Sequence, residues 1–234
     1  MVAKKRTLII PDIHERVGKL KLIEEKLFPE AGRIVMLGDF FDTFKYHNAK
    51  DAAVWVKEHP EVEKLWGNHD AHYAFKHPMF KCSGYSRDSQ IIINSVLDLA
   101  DWKQFKIYTK VGKYTVSHAG FHPALLSLME PAAVDHALEL AFSGGFHAMW
   151  APGVISGGYA PFGGPTWLRW EQLEPIKDLP QIVGHTIDKD VRRKSWDDGD
   201  HLHSADISSY CLDTALQHVM WVDEDTNAVE IERL

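Results

Sequence analysis

The 234-residue sequence has only two cysteines, Cys82 and Cys211, and they stand far apart outside any paired motif. A disulfide framework and a structural thiolate zinc site are therefore not expected, and a reducing, cytoplasmic setting is favoured. Long apolar runs are also missing. The one long uncharged stretch, residues 140–168, contains seven glycines and three prolines, which predicts a loop rather than the helix of about 20 residues that a membrane requires.

An excess of positive charge is missing as well. The chain carries 26 basic and 33 acidic side chains, for a formal net charge of −7. A protein that binds nucleic acid through its phosphate backbone usually carries an excess of positive charge, so this balance argues against nucleic-acid binding. With 45% hydrophobic and 11% aromatic residues, the composition can fill a core without covalent or metal staples. No linker or internal repeat divides it, so we expect one domain over residues 1–234.

Short apolar runs alternate with amphipathic ones, which predicts an α/β fold. In the first half we expect strands over 7–11, 33–37 and 62–66, and helices over 18–27, 49–57 and 89–99. In the second half we expect a helical insertion over 123–142 and strands over 105–109, 114–117 and 182–184. Three late strands, over 207–213, 218–222 and 228–232, are expected to form an antiparallel edge.

Five of the strand-like runs end abruptly on turn residues and possible metal ligands. They read LIIPDIH, IVMLGDFFD, EKLWGNHD, YTVSHAG and QIVGHT. The carboxyl ends of strands in an open α/β sheet converge on one crevice, so residues far apart in sequence can build one pocket there. The candidate ligands are Asp12, His14, Asp39, Asn68, His118 and His185.

Six oxygen and imidazole ligands exceed what one open catalytic metal site takes, but two divalent ions share them comfortably. Such a mixed set suits Mn, Fe, Zn or Ni. We expect Asp39 to bridge the two ions, because a carboxylate has two oxygens and the preceding glycine permits a tight turn. Asp12 and His14 would complete the first site, and Asn68, His118 and His185 the second.

The ordered motifs Asp-x-His, Gly-Asp-x-x-Asp, Gly-Asn-His-Asp, Ser-His-Ala-Gly and Gly-His resemble those of the calcineurin-like metallophosphoesterase superfamily. The resemblance is to its phosphoprotein phosphatase and diadenosine-tetraphosphatase-like branch in particular, and it spans Asp12 to His185. It implies a sandwich of two mixed sheets flanked by α-helices, with four αββα layers. It also implies hydrolysis of phosphate esters through in-line attack by a hydroxide bridging two metals, manganese among them.

By the same resemblance, His69 is expected to act as the general acid and Asp70 to orient its imidazole, a pairing that hydrogen-bond logic also supports. Two arginines that clamp phosphate in related phosphatases are replaced here by Thr43 and Trp66. Arg169, in the segment PTWLRWE, is the candidate substitute because of the forked donor geometry of arginine. Arg87 is a weaker candidate, and Asn68 is expected to contact substrate as well as metal.

Several interpretations stay open at this point. The substrate could be a phosphoprotein, a phosphometabolite, a dinucleoside polyphosphate or a cyclic nucleotide, with Trp66, Trp167 and Trp170 available to stack on a base. A non-catalytic metal-binding scaffold is the alternative of another class. Residues 143–165 are expected to form a rim facing the substrate, and the Arg192-Arg193-Lys194 run a solvated edge. No role is assigned to His72, His77, His136, His201, His203 or His218.

Overall fold

The computed structural model describes residues 6–43, 48–76, 80–196 and 207–234, so His77, His201 and His203 lie outside the described residues. The described strands form two five-stranded mixed sheets. In the first sheet the spatial order is β10-β9-β1-β2-β3. Its strands are β1 (Arg6–Ile10), β2 (Arg33–Met36), β3 (Glu63–Lys64), β9 (His218–Asp223) and β10 (Val229–Arg233). β1, β2 and β3 are parallel, whereas β9 runs antiparallel to both β1 and β10.

The second sheet has the spatial order β4-β5-β6-β8-β7. Its strands are β4 (Tyr108–Val111), β5 (Tyr114–Ser117), β6 (Gln181–Val183), β7 (Arg192–Ser195) and β8 (Ser208–Cys211). The three central strands are parallel and the two edge strands are antiparallel to their neighbours. Both sheets are therefore mixed, as predicted.

The core between the sheets follows from side-chain alternation along the strands. Ile9 of β1 and Val35 of β2 join one buried cluster with Val116 of β5 and Ile182 of β6. On the opposite face of the first sheet, Leu8, Ile10 and Met36 pack with residues of the helices. The sheets thus form a sandwich with helices on its outer side, which confirms the predicted fold class.

Within the described ranges, six α-helices surround the first sheet and its connections. They are α1 (Val17–Leu27), α2 (Ala49–Glu58), α3 (Asn68–Ala74), α4 (Arg87–Asn94), α5 (Leu99–Trp102) and α6 (Pro131–Ser143). α1 buries Leu20, Ile23 and Leu27, the three-to-four spacing that predicted it. None of the helices in the described ranges is long and apolar enough to cross a bilayer.

Three sequence-based expectations need correction. The helix predicted over 89–99 is two helices, because the Asp98 side chain accepts hydrogen bonds from the N–H groups of Ala100 and Asp101 and so begins α5 anew. The helical insertion begins with a 3₁₀ segment, Pro123–Met129, before α6. Of the three late strands, β9 and β10 pair antiparallel as predicted, but β8 lies in the other sheet and runs parallel to β6.

The Arg192-Arg193-Lys194 run, expected as a solvated edge, forms most of β7, the edge strand of the second sheet. Its burial alternates along the strand. The half-buried Arg192 guanidinium lies 5.6 Å from the centre of the Trp170 ring. Basic side chains at an edge also discourage pairing with another chain.

Candidate metal centre

Five strand ends deliver polar side chains to one place, as predicted. Asp12 follows β1, Asp39 follows β2, Asn68 follows β3, His118 follows β5 and His185 follows β6. The backbone also brings these ends together. The N–H groups of Ile13 and His14 donate to the carbonyl of Asp39, and the N–H of Gly184 donates to the carbonyl of His118. The centre therefore lies where strands from both sheets end.

Two glycines of the motifs are required by close approach. A Cβ on Gly184 would lie 2.1 Å from Oδ1 of Asp12, and a Cβ on Gly67 would lie 2.1 Å from Oδ1 of Asp39. A carbon atom cannot occupy either position without displacing the carboxylate. The Gly-Asn and Gly-His pairs of the sequence thus have a steric cause.

The backbone of the centre is held in unusual conformations. His14, Asp39 and His185 have φ values of +46°, +52° and +66°, in the left-handed region that side-chain-bearing residues rarely adopt. Glu15 and Asp42, in the same loops, also have positive φ. Such conformations collect at functional sites, where the surrounding structure holds them in place.

The first candidate site consists of Asp12, His14 and Asp39. Each offers one ligand atom, and these atoms all lie within 4.8 Å of one another. Nε2 of His14 is 3.7 Å from Oδ2 of Asp39. Oδ1 of Asp12 is buried and has no hydrogen-bond partner among the described residues. An unpartnered buried carboxylate oxygen fits a bound cation, because otherwise its burial is unfavourable.

The second candidate site consists of Asp39, His118 and His185, whose ligand atoms again lie within 4.8 Å of one another. Nε2 of His118 is 3.4 Å from Oδ2 of Asp39. Oδ1 of Asn68 lies 3.0 Å from Nε2 of His118 and 3.0 Å from Nδ1 of His185. Asp39 is shared by both sites through Oδ2, whereas its Oδ1 accepts a hydrogen bond from the N–H of His69.

The protonation of two imidazoles shows that these groups suit a cation. Nδ1 of His14 faces the carbonyls of Phe41 and Asp42, and Nδ1 of His118 faces the carbonyl of Leu37. A carbonyl can only accept, so Nδ1 carries the proton in both rings and Nε2 presents a lone pair. In both rings that lone pair points toward Asp39 Oδ2. Converging lone pairs with ring N–H groups held by carbonyls are the usual arrangement around a metal.

The electrostatics of the centre follow from burial and close charges. Burial, then the neighbouring carboxylates of Asp213 and Asp39, raise the pKa of Asp12 well above its usual range. Burial opposes ionisation of Asp39 too, but the histidines around it, His118 first, hold the pKa of its carboxyl below the ordinary value. Burial, and then His118, lower the pKa of His185. The His185 imidazole is thereby kept neutral, the form that binds metal.

The predicted pairing of His69 with Asp70 is not what the structure shows. Nδ1 of His69 lies 2.8 Å from Oδ2 of Asp42. The Asp70 carboxylate instead accepts hydrogen bonds from the backbone N–H groups of Asp39, Phe40 and Gly67. Asp70 lies in the first turn of α3, and its carboxylate holds the loop that carries Asp39.

Asp42 is a functional residue that the sequence reasoning did not assign. Besides His69, its carboxylate contacts Nε2 of His72 at 2.9 Å and accepts a hydrogen bond from the hydroxyl of Tyr73. The signal for it was available as the second aspartate of Gly-Asp-x-x-Asp. His72, which the sequence left without a role, is 1% exposed, and its Nδ1 accepts the N–H of Cys82.

The two arginine candidates differ in place. Arg169 is close enough to His185 to contribute to lowering its pKa, and its buried Nε has no hydrogen-bond partner in the described part of the chain. Arg87 is exposed in the first turn of α4, and its side chain has no recorded contact with the centre among the described residues.

The tryptophans also differ. Trp66 is fully buried, with its ring 5.6 Å from that of Trp102 and 5.0 Å from that of Phe105. It therefore cannot stack on a nucleotide base. Trp170 is buried as well. Only the half-buried Trp167 lies beside the centre, with its ring 6.0 Å from that of His185.

Solved structures with a similar fold include two phosphatases and a metallophosphoesterase. A cold-active protein-tyrosine phosphatase from a psychrophilic Shewanella species superposes with a TM-score of 0.61 at 15% identity, covering 97% of this chain and 80% of its own. A protein serine/threonine phosphatase from Saccharomyces cerevisiae has a TM-score of 0.54 at 15% identity, covering 100% and 81%. A metallophosphoesterase from Sphaerobacter thermophilus has a TM-score of 0.51 at 14% identity, covering 98% and 87%.

No curated protein matches the chain by sequence. The sequence model of the calcineurin-like phosphoesterases matches residues 5–189, which include all six candidate ligands. Members of this family are hydrolases that use divalent metal ions, in agreement with the clustered histidine and aspartate side chains. The chain belongs to the calcineurin-like phosphoesterase family.

Proposed function

We propose that this phosphoesterase holds two divalent cations, the first on Asp12, His14 and Asp39 and the second on Asp39, Asn68, His118 and His185. The observation that carries the proposal is the position of Asp39 Oδ2, 3.7 Å from Nε2 of His14 and 3.4 Å from Nε2 of His118. One oxygen between two such nitrogen atoms suits a bridging ligand. Bound divalent ions lower the pKa of water toward neutrality and neutralise charge on phosphoryl oxygens.

In this proposal, His69 protonates the oxygen of the departing alcohol or phenol. Burial acts to lower the pKa of His69, but Asp39 and the hydrogen bond to Asp42 raise it above the usual value. The ring is thus kept protonated further up the pH range, as a general acid requires. Asp42 fixes the ring through Nδ1, which leaves Nε2 as the donor.

We propose that Arg169 binds the phosphoryl group of the substrate, in place of the clamping arginines that Thr43 and Trp66 replace. Its guanidinium has a buried, unpartnered Nε among the described residues, and a phosphate oxygen would satisfy it. Asn68, whose Oδ1 lies 3.0 Å from Nδ1 of His185, is proposed to contact the substrate as well. The exposed position of Arg87 makes it the weaker candidate. Replacement of Arg169 by lysine is expected to raise KM, since lysine keeps the charge but loses the forked geometry.

The test begins with chelator-treated protein, reloaded with Mn²⁺, Ni²⁺ or Zn²⁺ and assayed on p-nitrophenyl phosphate. Asp39→Asn is expected to lose bound metal and activity together. His69→Ala is expected to keep its metal and to lower kcat by roughly 10²–10⁴-fold. The exposed His136 supplies the matched control, and His136→Ala should behave as wild type. Equal rates in wild type, Asp39→Asn and His69→Ala would contradict the mechanism.

For the substrate, we propose a phosphomonoester or phosphoprotein. The support is that solved protein phosphatases share the fold and that Trp66, one of the three candidate stacking rings, is buried in the core. Hydrolysis of phosphoserine and phosphotyrosine peptides should exceed that of diadenosine tetraphosphate and of cyclic nucleotides. The reverse order would favour a nucleotide phosphodiesterase. Titration calorimetry that detects no metal uptake would favour the non-catalytic scaffold.

We further propose manganese as the working metal and the cytoplasm as the location, with residues 1–234 as one domain. The carboxylate oxygens of Asp12 and Asp39 and the amide oxygen of Asn68 are ligands that suit manganese. Cys82 and Cys211 are free and buried, as in proteins of reducing compartments. Analysis of metal content after purification without added metal tests the first of these proposals.

A further inference from the structure

Cys82 makes two hydrogen bonds to a single residue, Asn68. The side-chain Nδ2 of Asn68 donates to Sγ of Cys82 at 3.0 Å, and the thiol of Cys82 donates to the backbone carbonyl of Asn68 at 3.2 Å. Both residues are buried. The Cys82 thiol therefore forms one hydrogen bond with the side chain of Asn68 and one with its backbone.

The hydrogen bond from Nδ2 to the sulfur determines which end of the Asn68 amide faces the second cation site. Because Nδ2 is held by sulfur, Oδ1 points the other way and lies 3.0 Å from both Nε2 of His118 and Nδ1 of His185. A flipped amide would place an NH₂ group among those nitrogen atoms. An amide oxygen can bind a cation, whereas an NH₂ group repels it.

The backbone of Cys82 is also connected, through His72 and Asp42, to His69, the proposed acid. Its backbone N–H donates to Nδ1 of His72 at 3.1 Å, so His72 carries its proton on Nε2, which lies 2.9 Å from Oδ2 of Asp42. That oxygen also contacts the ring of His69. The backbone contact does not depend on the side chain at position 82, whereas the contact to Asn68 does. Side-chain substitution therefore separates the two.

We propose that Cys82 is a positioning residue for metal binding: its thiol holds the amide of Asn68 with Oδ1 directed into the second cation site. This inference rests on the proposed function, because it takes Asn68 as a metal ligand. It assigns no reactivity to the sulfur. Outer hydrogen-bond partners of metal ligands typically affect metal affinity by about 10- to 100-fold, and that range is the effect expected here.

Three variants distinguish this role from simple packing. Cys82→Ser keeps a donor and an acceptor, whereas Cys82→Val fills the space without either. Cys211 is unsuitable as a control because its thiol contacts the carbonyls of Gly184 and Thr186, beside His185. Ile93→Val is the matched control, since Ile93 of α4 is fully buried in the hydrophobic core and its side chain carries no polar atom. It should lower the melting temperature without changing metal affinity.

The experiment is isothermal titration of chelator-treated protein with Mn²⁺, alongside melting curves of the metal-free variants. Wild type and Ile93→Val are expected to bind two ions. Cys82→Val should weaken one of them by roughly 10- to 100-fold and leave the other unchanged, and Cys82→Ser should recover most of the loss. Wild-type affinities in Cys82→Val, or equal weakening of both ions, would overturn the inference alone. A wild type that binds fewer than two ions would overturn the proposed function and this inference with it.

Discussion

At the scale of single residues, two aspartates of the sequence motifs, Asp42 and Asp70, make different kinds of contact. Asp42 contacts the side chains of His69, His72 and Tyr73. Asp70 contacts only backbone N–H groups, those of Asp39, Phe40 and Gly67. Burial raises the pKa of Asp70 to about 8, against the effect of these three donors. Asp42 therefore positions His69, the proposed acid. Asp70 holds the loop that carries Asp39, the proposed shared ligand.

These contacts predict different defects for the two asparagine variants. Asp42→Asn should keep both ions and lower kcat, because an amide cannot stabilise the protonated His69 ring. Asp70→Asn should weaken binding of both ions and lower the melting temperature, because its NH₂ group faces backbone donors. Steady-state kinetics combined with metal titration measures both effects. The assignment is contradicted if Asp70→Asn alters only kcat.

At this scale the sequence predicted which side chains meet at the centre, but not which carboxylate contacts His69. Asp12, Asp39 and His118 could be found because each directly follows a recognisable apolar strand. The partner of His69 could not be found by adjacency, because Asp70 is next in the chain but α3 turns its carboxylate toward the Gly38–Phe40 loop. Asp42 reaches the ring from another strand end, which only the folded chain shows.

At the scale of elements, Trp66 lies just after β3, at a position where the resemblance to phosphoprotein phosphatases predicts a phosphate-binding arginine. Trp66 packs against Trp102, Phe105, Phe75 and Trp150 at ring distances of 5.0–5.9 Å. Its ring therefore ties β3 to α5 and to the segments after α3 and α6. At position 66 the chain therefore has a residue that packs in the core instead of the arginine that the resemblance predicts.

Trp66→Ala should accordingly reduce the free energy of unfolding by about 3–5 kcal/mol, the usual loss for a buried aromatic side chain. Trp167→Ala is the matched control. Trp167 is half-buried beside His185, so its removal should affect KM more than stability. Urea denaturation of both variants provides the measurement, and a small effect of Trp66→Ala would contradict the packing role.

The limits of sequence patterning are also visible at this scale. The apolar runs of β8 and β9 predicted strands, and both are strands. Their pairing was not encoded locally. The carbonyl of Val183 accepts the N–H of Leu212 just beyond β8, whereas β9 is placed by Thr7 to Ile9 of β1. Period-two alternation specifies which face of a strand is buried but not which sheet the strand joins.

At the scale of the whole molecule, one buried lysine makes stability depend on pH. Lys64 of β3 is 2% exposed, and its ammonium group donates to the carbonyls of His59 and Val62. Burial lowers its pKa from 10.5 to about 8, although Glu61 and Asp101 act to raise it. The unfolded chain therefore holds a proton between these two pH values that the folded chain has released.

Because the unfolded state binds the extra proton, the free energy of unfolding contributed by Lys64 should rise as pH rises from about 8 to 10.5. Lys64→Met, which has a similar shape and no charge, should remove this rise. Denaturant unfolding of wild type and variant at several pH values across the interval isolates the contribution as their difference. A difference that stays constant with pH would show that Lys64 does not titrate there.

The arrangement of the first sheet has a consequence for the order in which the chain can fold. β1 is hydrogen-bonded on one side to β2 and on the other to β9, which lies far later in the chain. Until β9 is synthesised, one side of β1 is an open apolar edge, the kind of surface that invites aggregation. Residues up to Asp223 must therefore be synthesised before this sheet can close, and a nascent chain stalled after residue 189, where the family match ends, would expose this edge and depend on chaperones.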